Sequence, residues 1–224
     1  MRFRIRPLWV VLPPMLAAVL VAATACGSDS GDKTSNDDAT EVVVGHTGYH
    51  GALVTPPIDK PDAVLTDATG QAFDLQKETE GYLTLLYVGY THCPDVCPTH
   101  LSDIATTLEG MSPELAEKVK MVFVTADPDR DTPEVLGKYL ALFNPEFVGL
   151  TGSQQEIDGF QRELGLEPAQ KQDLGDGNYS VSHAAFVMAF TTDNVAHIVY
   201  PFGVTHEDWA NDLPLLAKEG WNPG

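Results

Sequence analysis

The run Leu83-Thr84-Leu85-Leu86-Tyr87-Val88-Gly89-Tyr90 is apolar with almost no interruption. A segment this short, with no polar alternation, reads as a β-strand buried on both faces. Such a strand needs a layer on each side of its sheet, which commits the chain to an α/β architecture. His92-Cys93-Pro94-Asp95-Val96-Cys97-Pro98 follows directly. Pro98 is predicted to open a helix with Leu101, Ile104, Ala105 and Leu108 on one face. Two cysteines therefore stand at the carboxyl end of a buried strand and the mouth of a helix, where α/β sheets place their chemistry.

Strands and helices alternate around this unit. Val64-Leu65 and Phe73 with Leu75, on either side of Asp67-Ala68-Thr69-Gly70, predict an edge hairpin. Residues 119–125 predict a second buried strand. Thr132-Pro133 is an N-cap with a first-turn proline, opening a helix that buries Leu136, Tyr139, Leu140 and Phe143. Residues 147–150 form a short strand. Ser153 and Glu156 make a capping box for a helix carrying Ile157, Phe160 and Leu164, ended by Gly165. Residues 168–178 read as a polar loop. Residues 184–190 and 195–200 read as a hairpin around Thr192-Asp193-Asn194. A last helix starts near His206, with Pro214 expected to break or kink it. The order β-α-β-α-β-α-β-β-α predicts a central mixed sheet with parallel crossovers, a C-terminal hairpin and helices on both faces.

The N-terminus has a different character. Arg2, Arg4 and Arg6 precede an apolar stretch broken by Pro13 and Pro14, and Ala22-Ala23-Thr24-Ala25 leads into Cys26. Residues 1–25 read as a secretory signal, too short and too Pro-broken to span a membrane permanently. The placement of Cys26 resembles the lipobox of bacterial lipoproteins, which implies acylation of that cysteine; Ala23 departs from the larger aliphatic residue usual there. Residues 26–50 then comprise the lipidated cysteine and a flexible tether rich in Gly, Ser, Asp, Asn and Thr. Residues 51–220 form the folded domain. Without residues 1–25, ten basic and 32 acidic residues remain, a net charge of −22. That charge repels nucleic acid and anionic headgroups and favours a cation or a basic partner protein.

Cys93 and Cys97, at i and i+4, project from one face of the helix entrance, where exposed amides and the helix dipole favour thiolate over thiol. Two converging thiolates are a soft ligand pair that favours Cu(I). In an oxidising compartment the two can also close into a disulfide, but a staple across one helical turn constrains little chain. A metal or redox role accounts for the pair better.

A copper set needs a third ligand, and seven histidines compete. His92 is expected to point away from its cysteine neighbour, and His100 to lie at the surface. His46 and His50 stand in the loose N-terminal segment. His197 lies within a strand, and His206 starts a helix. His183 follows the long polar loop at the start of a buried strand; such a residue is by itself more often a core or capping group than a ligand.

Three stretches bear on that choice. Residues 87–99, Tyr-Val-Gly-Tyr-Thr-His-Cys-Pro-Asp-Val-Cys-Pro-Thr, resemble the signature of the Sco/SenC family of copper proteins. Ala126-Asp127-Pro128-Asp129-Arg130-Asp131-Thr132-Pro133 resembles that family's second signature, and Val181-Ser182-His183-Ala184 its third. The likeness runs from about residue 53 to 216, in order. It implies a thioredoxin-like fold and one copper per chain, as Cu(I) or Cu(II), on Cys93, Cys97 and His183. It further implies delivery of copper to the dinuclear copper site of cytochrome c oxidase subunit II. The location it implies is the outer face of the cytoplasmic membrane, through the lipid on Cys26. Thioredoxins carry C-x2-C and a cis-proline at this corner; C-x3-C and Ser182-His183 here favour metal over general disulfide exchange. A neutral imidazole is required, so binding should weaken as pH falls toward about 6.

Two other functions stay open. Cys93 and Cys97 would be the redox dithiol of a thiol-disulfide reductase that keeps the oxidase cysteines reduced, or the chain would sense copper or redox state. Asp127, Asp129, Arg130 and Asp131 sit at the same sheet edge, as a helix-start ion-pair cluster, a border of the copper site or a docking surface.

Overall fold

The computed structural model describes residues 41–43 and 48–223. The expected signal segment, Cys26, the tether through residue 40 and His46 lie outside the described residues. The chain enters through β1 (Glu41–Val43) and β2 (Ala52–Asp59), then the hairpin β3 (Val64–Asp67) and β4 (Ala72–Asp74), and the short α1 (Leu75–Glu78). The central unit is β5 (Leu83–Gly89), α2 (Val96–Gly110), α3 (Pro113–Ala116) and β6 (Val119–Thr125). It continues through α4 (Pro133–Leu140), β7 (Val148–Thr151) and α5 (Gln154–Glu163). A two-stranded hairpin, β8 (Lys171–Gly175) and β9 (Asn178–Val181), precedes β10 (Phe186–Phe190), β11 (Val195–Pro201) and α6 (His206–Glu219).

The main sheet has the order β1-β2-β11-β10-β5-β6-β7-β3-β4, with β5, β6 and β7 parallel and the other pairings antiparallel. All seven residues of β5 are buried, as its unbroken apolar run requires. One face of the sheet presents Tyr87 and Phe123. Tyr87 meets the His100 ring of α2 at 5.3 Å, and Phe123 meets Tyr139 of α4 at 6.0 Å. On β11, Tyr200 stacks on Trp209 of α6 at 4.1 Å. Thr84 points to the opposite face, where Lys60 Nζ bridges it to Thr79 at the end of α1. Helices thus cover both faces, and β10–β11 is the expected C-terminal hairpin.

Several local expectations need correction. Residues 168–178 are not a plain loop. Most of them form the β8–β9 hairpin, turned by Gly175, Asp176 and Gly177, all at positive φ. Every residue of β8 is exposed, so no apolar alternation marks it. Helix α2 begins at Val96, two residues before Pro98, which places Cys97 inside its first turn. Leu75 does not extend the edge hairpin but starts α1, fully buried. The strand expected from residue 184 begins at Phe186. Pro214 does not end α6. A mid-helix proline costs about 3 kcal/mol, and the buried Trp209, Leu213 and Leu216 together offset more than that at about 2 kcal/mol each. Strand β2 carries Pro56-Pro57, a pair that argues against a strand; both prolines are exposed.

Candidate metal centre

Strand pairing brings the third signature to the first. Antiparallel β10 meets β5 with Val187 opposite Tyr87 and Met188 opposite Leu86. The residues just before β10 therefore run alongside those just after β5, where the cysteine loop begins. His183 lies in this approach, three residues before β10, between the hairpin and the sheet.

Its imidazole Nε2 stands 3.6 Å from Cys93 Sγ and 3.7 Å from Cys97 Sγ. The other ring nitrogen, Nδ1, faces the Ala184 carbonyl at 3.0 Å. A carbonyl only accepts, so Nδ1 carries the proton and Nε2 presents its lone pair to the sulfurs. Edge-on contacts with Tyr87 at 5.9 Å and Tyr90 at 5.5 Å fix the ring plane. Both cysteines are free thiols; Cys97 is fully buried and Cys93 is 8 % exposed. The ligand atoms of Cys93, Cys97 and His183 all lie within 4.8 Å of one another. Among the described residues no other trio of His, Cys, Asp or Glu converges in this way. Two sulfurs and one neutral imidazole are a donor set suited to a soft, thiophilic ion.

The thiols are unequal. The hydrogen bond from Cys97 is the main cause that pulls Cys93 down to about 3, against its burial, with further help from the Cys97 and Asp95 amides. Burial pushes Cys97 well up, and the Cys93 thiolate beside it pushes the same way. Cys93 is the thiolate of the pair, and the Cys97 amide donates to its sulfur at 3.5 Å. Gly89 makes room for Cys97: a Cβ there would stand 2.6 Å from its sulfur and 2.9 Å from the Phe123 ring.

The second signature frames this corner. Asp131, fully buried, accepts from the Thr91 amide and hydroxyl and from the Thr125 hydroxyl. Asp127 is also buried; it receives Arg130 and the Tyr179 hydroxyl. Arg130 lies on the Tyr179 ring at 3.7 Å and donates to the Tyr179 carbonyl at 3.1 Å. Asp129 is exposed and paired with Lys171 at 2.5 Å. These contacts hold the β8–β9 hairpin against the sheet. At its base, the Ser182 amide donates to the Gln170 carbonyl and the Ser182 hydroxyl accepts from the Gln170 amide. His183 follows immediately, so its position is braced from both sides. Tyr179 was not singled out from sequence, and Tyr87 and Ser182 entered only as members of the signatures, without a role of their own.

The other histidines separate clearly. His92 is exposed and its Nδ1 meets the Thr91 hydroxyl at 3.1 Å. His100 does not lie at the surface. It is 2 % exposed, edge-on to Tyr87, Phe202 and Trp209, and burial lowers its pKa. The packing of α6 on α2 covers it, which helical spacing alone does not reveal. His50 pairs with Asp208, and His197 pairs with Asp193 and stacks on Trp221. His206 is the first residue of α6.

Residues 59–218 match the family model described as SCO1/SenC. An SCO2-like protein of Rickettsia felis is 40% identical over 126 residues, 56% of this chain and 60% of that protein. This chain thus spans about three-fifths of the length of that relative. Copper-bound ScoI of Bradyrhizobium japonicum is 37% identical, with a TM-score of 0.62 over 70% of this chain and 97% of that one. Apo Sco1 of Thermus thermophilus is 30% identical, with a TM-score of 0.67 over 75% and 96%. The architecture is the thioredoxin-like one that the resemblance implied. With its family model covering most of the folded chain, this protein belongs to the SCO1/SenC family.

Proposed function

We propose that this chain is an extracytoplasmic copper-binding protein that takes up one copper ion on Cys93, Cys97 and His183. It passes that ion to the dinuclear copper site of cytochrome c oxidase subunit II. The observation that carries the reading is the convergence of the His183 lone pair on both sulfurs, at 3.6 and 3.7 Å. Copper is cargo here, as Cu(I) or Cu(II). The chain's own contribution is a preset donor set: a ready thiolate at Cys93, a second sulfur beside it, and an imidazole already in the right tautomer. Cys93, at the rim, is the ligand a partner's thiolate reaches first, so exchange would begin there and end at buried Cys97. The copper-bound relative and the family match support the metal; the partner is carried over from the family resemblance. Cys26 would carry the lipid, with residues 27–40 as the reach between membrane and domain, since Glu41–Val43 already belongs to the main sheet and His50 is held by α6; no described helix is long and apolar enough to cross a membrane.

The test mixes copper-loaded protein with the apo copper domain of subunit II and follows the metal after separation. Transfer from wild type, and no stable loading of His183→Ala, is the expected result. His183→Ala that binds Cu(II) as tightly, with an unchanged spectrum, sinks the ligand assignment.

One observation favours a second reading. A low-pKa Cys93 thiolate next to a protonated Cys97 is the arrangement of a dithiol reductant: the first attacks a disulfide sulfur, the second resolves the mixed disulfide. That reaction needs no His183 ligand. Retained reduction of an oxidised subunit II dithiol by His183→Ala, alongside lost copper transfer, would assign the chain this activity as well.

A further inference from the structure

Three segments meet at the mouth of the metal centre. Residues 90–94 carry Cys93, residues 182–186 carry His183, and residues 201–205 leave β11. Their contacts place them side by side. His183 Nε2 stands 3.6 Å from Cys93 Sγ, Phe186 pairs with Pro201, and the Phe202 amide donates to the Ala185 carbonyl at 2.8 Å. None of these fifteen residues is Asp, Glu, Lys or Arg, although one residue in five of the chain is. The mouth is therefore an uncharged collar. Acids begin at its edge, with Asp95 and Glu207 both exposed. Phe202 is the large exposed side chain of the collar, 46 % exposed. Its ring meets the ring of buried His100 in a T at 6.1 Å, one helical turn past Cys97. The phenyl group is thus braced from within while much of it faces solvent. Pro94, Ala185 and Pro201 are exposed in the same three segments.

A charge-depleted, apolar centre with an aromatic anchor and a charged rim is the anatomy of a protein interface. We propose that this collar is the docking surface of the copper acceptor, with Phe202 as its anchor. This rests on the copper-delivery reading. Cys97 is fully buried and Cys93 is 8 % exposed, so an incoming thiolate reaches the metal past the rim at Cys93. The protein that carries the thiolate then lies on the collar. Its chemistry follows from what it covers. The surface around its own thiols is apolar and uncharged, because a charge buried there would go unpaired. Basic residues surround that surface and face Asp95 and Glu207. On the functional reading this acceptor is the apo copper domain of subunit II. Phe202 supplies no ligand atom, so it acts on the encounter and not on the affinity for copper.

The experiment compares wild type with Phe202→Ala, Phe202→Leu and Ala185→Glu. Leu142→Ala is the control, a 79 % exposed residue past the far end of α4. Three quantities are read on purified protein: copper affinity by competition, the second-order rate of copper transfer to the apo domain of subunit II, and the dissociation constant of the copper-free pair by NMR titration. Phe202→Ala should keep wild-type copper affinity, while transfer rate and pair affinity fall about tenfold or more, as on removal of an aromatic anchor. Phe202→Leu keeps an apolar anchor and should lose less. Ala185→Glu puts a charge into the collar and should lose about as much as Phe202→Ala. Its side chain is exposed, so it carries the comparison if Phe202→Ala unfolds for want of packing on His100. Leu142→Ala should match wild type. Wild-type transfer and pair affinity in the folded collar variants overturn the inference. So does a copper affinity that falls as far as the transfer rate, which marks a role inside the metal site. A wild-type dimer in sedimentation that Phe202→Ala dissociates also overturns it, assigning the collar to a second copy of this chain. Wild type that loads copper but neither binds nor supplies the domain overturns the delivery reading itself, a result distinct from these.

Discussion

Asp131 reaches back forty residues to Thr91, accepting from its amide at 2.9 Å and from its hydroxyl at 2.6 Å. The same carboxylate takes the Thr125 hydroxyl at 2.7 Å, so one buried side chain ties the cysteine loop to the end of β6. Asp131→Ala would leave three donors without an acceptor in a dry site. A loss of about 3 kcal/mol in urea denaturation is expected, with weaker copper uptake because the loop bearing Cys93 is freed. Asp131→Asn, which keeps the shape but opposes a donor to donors, should fall between. Wild-type stability in Asp131→Ala would show that the clamp has no energetic role.

The unequal thiols predict unequal chemistry. With Cys93 held at about 3 chiefly by the Cys97 hydrogen bond, it stays ionised as pH falls. Its alkylation by iodoacetamide should be nearly flat between pH 8 and pH 5, whereas a free thiol slows about tenfold per pH unit below its pKa near 8.5. Peptide mass spectrometry should find Cys93 labelled and Cys97 untouched until the protein unfolds. Cys97→Ala removes the main stabilising bond, so the pH at which Cys93 loses reactivity should rise. A tenfold loss per unit in the wild type would refute the assignment of the thiolate.

Gly89→Ala tests the fit of Cys97 against β5. The added methyl would meet the sulfur at 2.6 Å and the Phe123 ring at 2.9 Å, neither of which is the free end of a flexible chain. Overpacking of this kind costs about 1–3 kcal/mol. Displacement of one sulfur should lower copper affinity at least tenfold, on the order of 1.4 kcal/mol. Calorimetry and copper competition on the same sample separate the two effects; unchanged affinity would mean the sulfur has room to move.

Far from the metal corner, Lys60 is nearly inaccessible, with two threonine hydroxyls as its acceptors at 3.0 and 3.1 Å. Burial lowers its pKa to about 8. The folded protein then releases this proton before the unfolded chain does. Between about pH 8 and pH 10.4 the unfolded state binds more protons, so this residue makes stability rise with pH in that window. Below pH 8 its cost is present in full. Lys60→Met should flatten the rise and stabilise the protein at pH 7 by about 2 kcal/mol. Urea midpoints at pH 7 and pH 10 that move in parallel for both proteins would show the lysine to be solvated.

What the sequence determined by itself was local. The apolar run of β5, the cysteines at its carboxyl end, the Thr132 and Ser153 caps and the β10–β11 hairpin are each written within a few consecutive residues, where period and capping chemistry act. The second and third signatures were legible only through their likeness to a family; no periodicity points from His183 to Cys93. Their meeting across 90 residues was decided by sheet order, which sets β10 antiparallel beside β5 and carries the approach to β10 past the helix mouth. The same holds for His100, which α6 buries, for the exposed β8–β9 hairpin that Arg130 holds down, and for the Asp131 clamp. Each depends on which elements become neighbours, and that is set by the burial of a whole core rather than by the residues nearby in the chain.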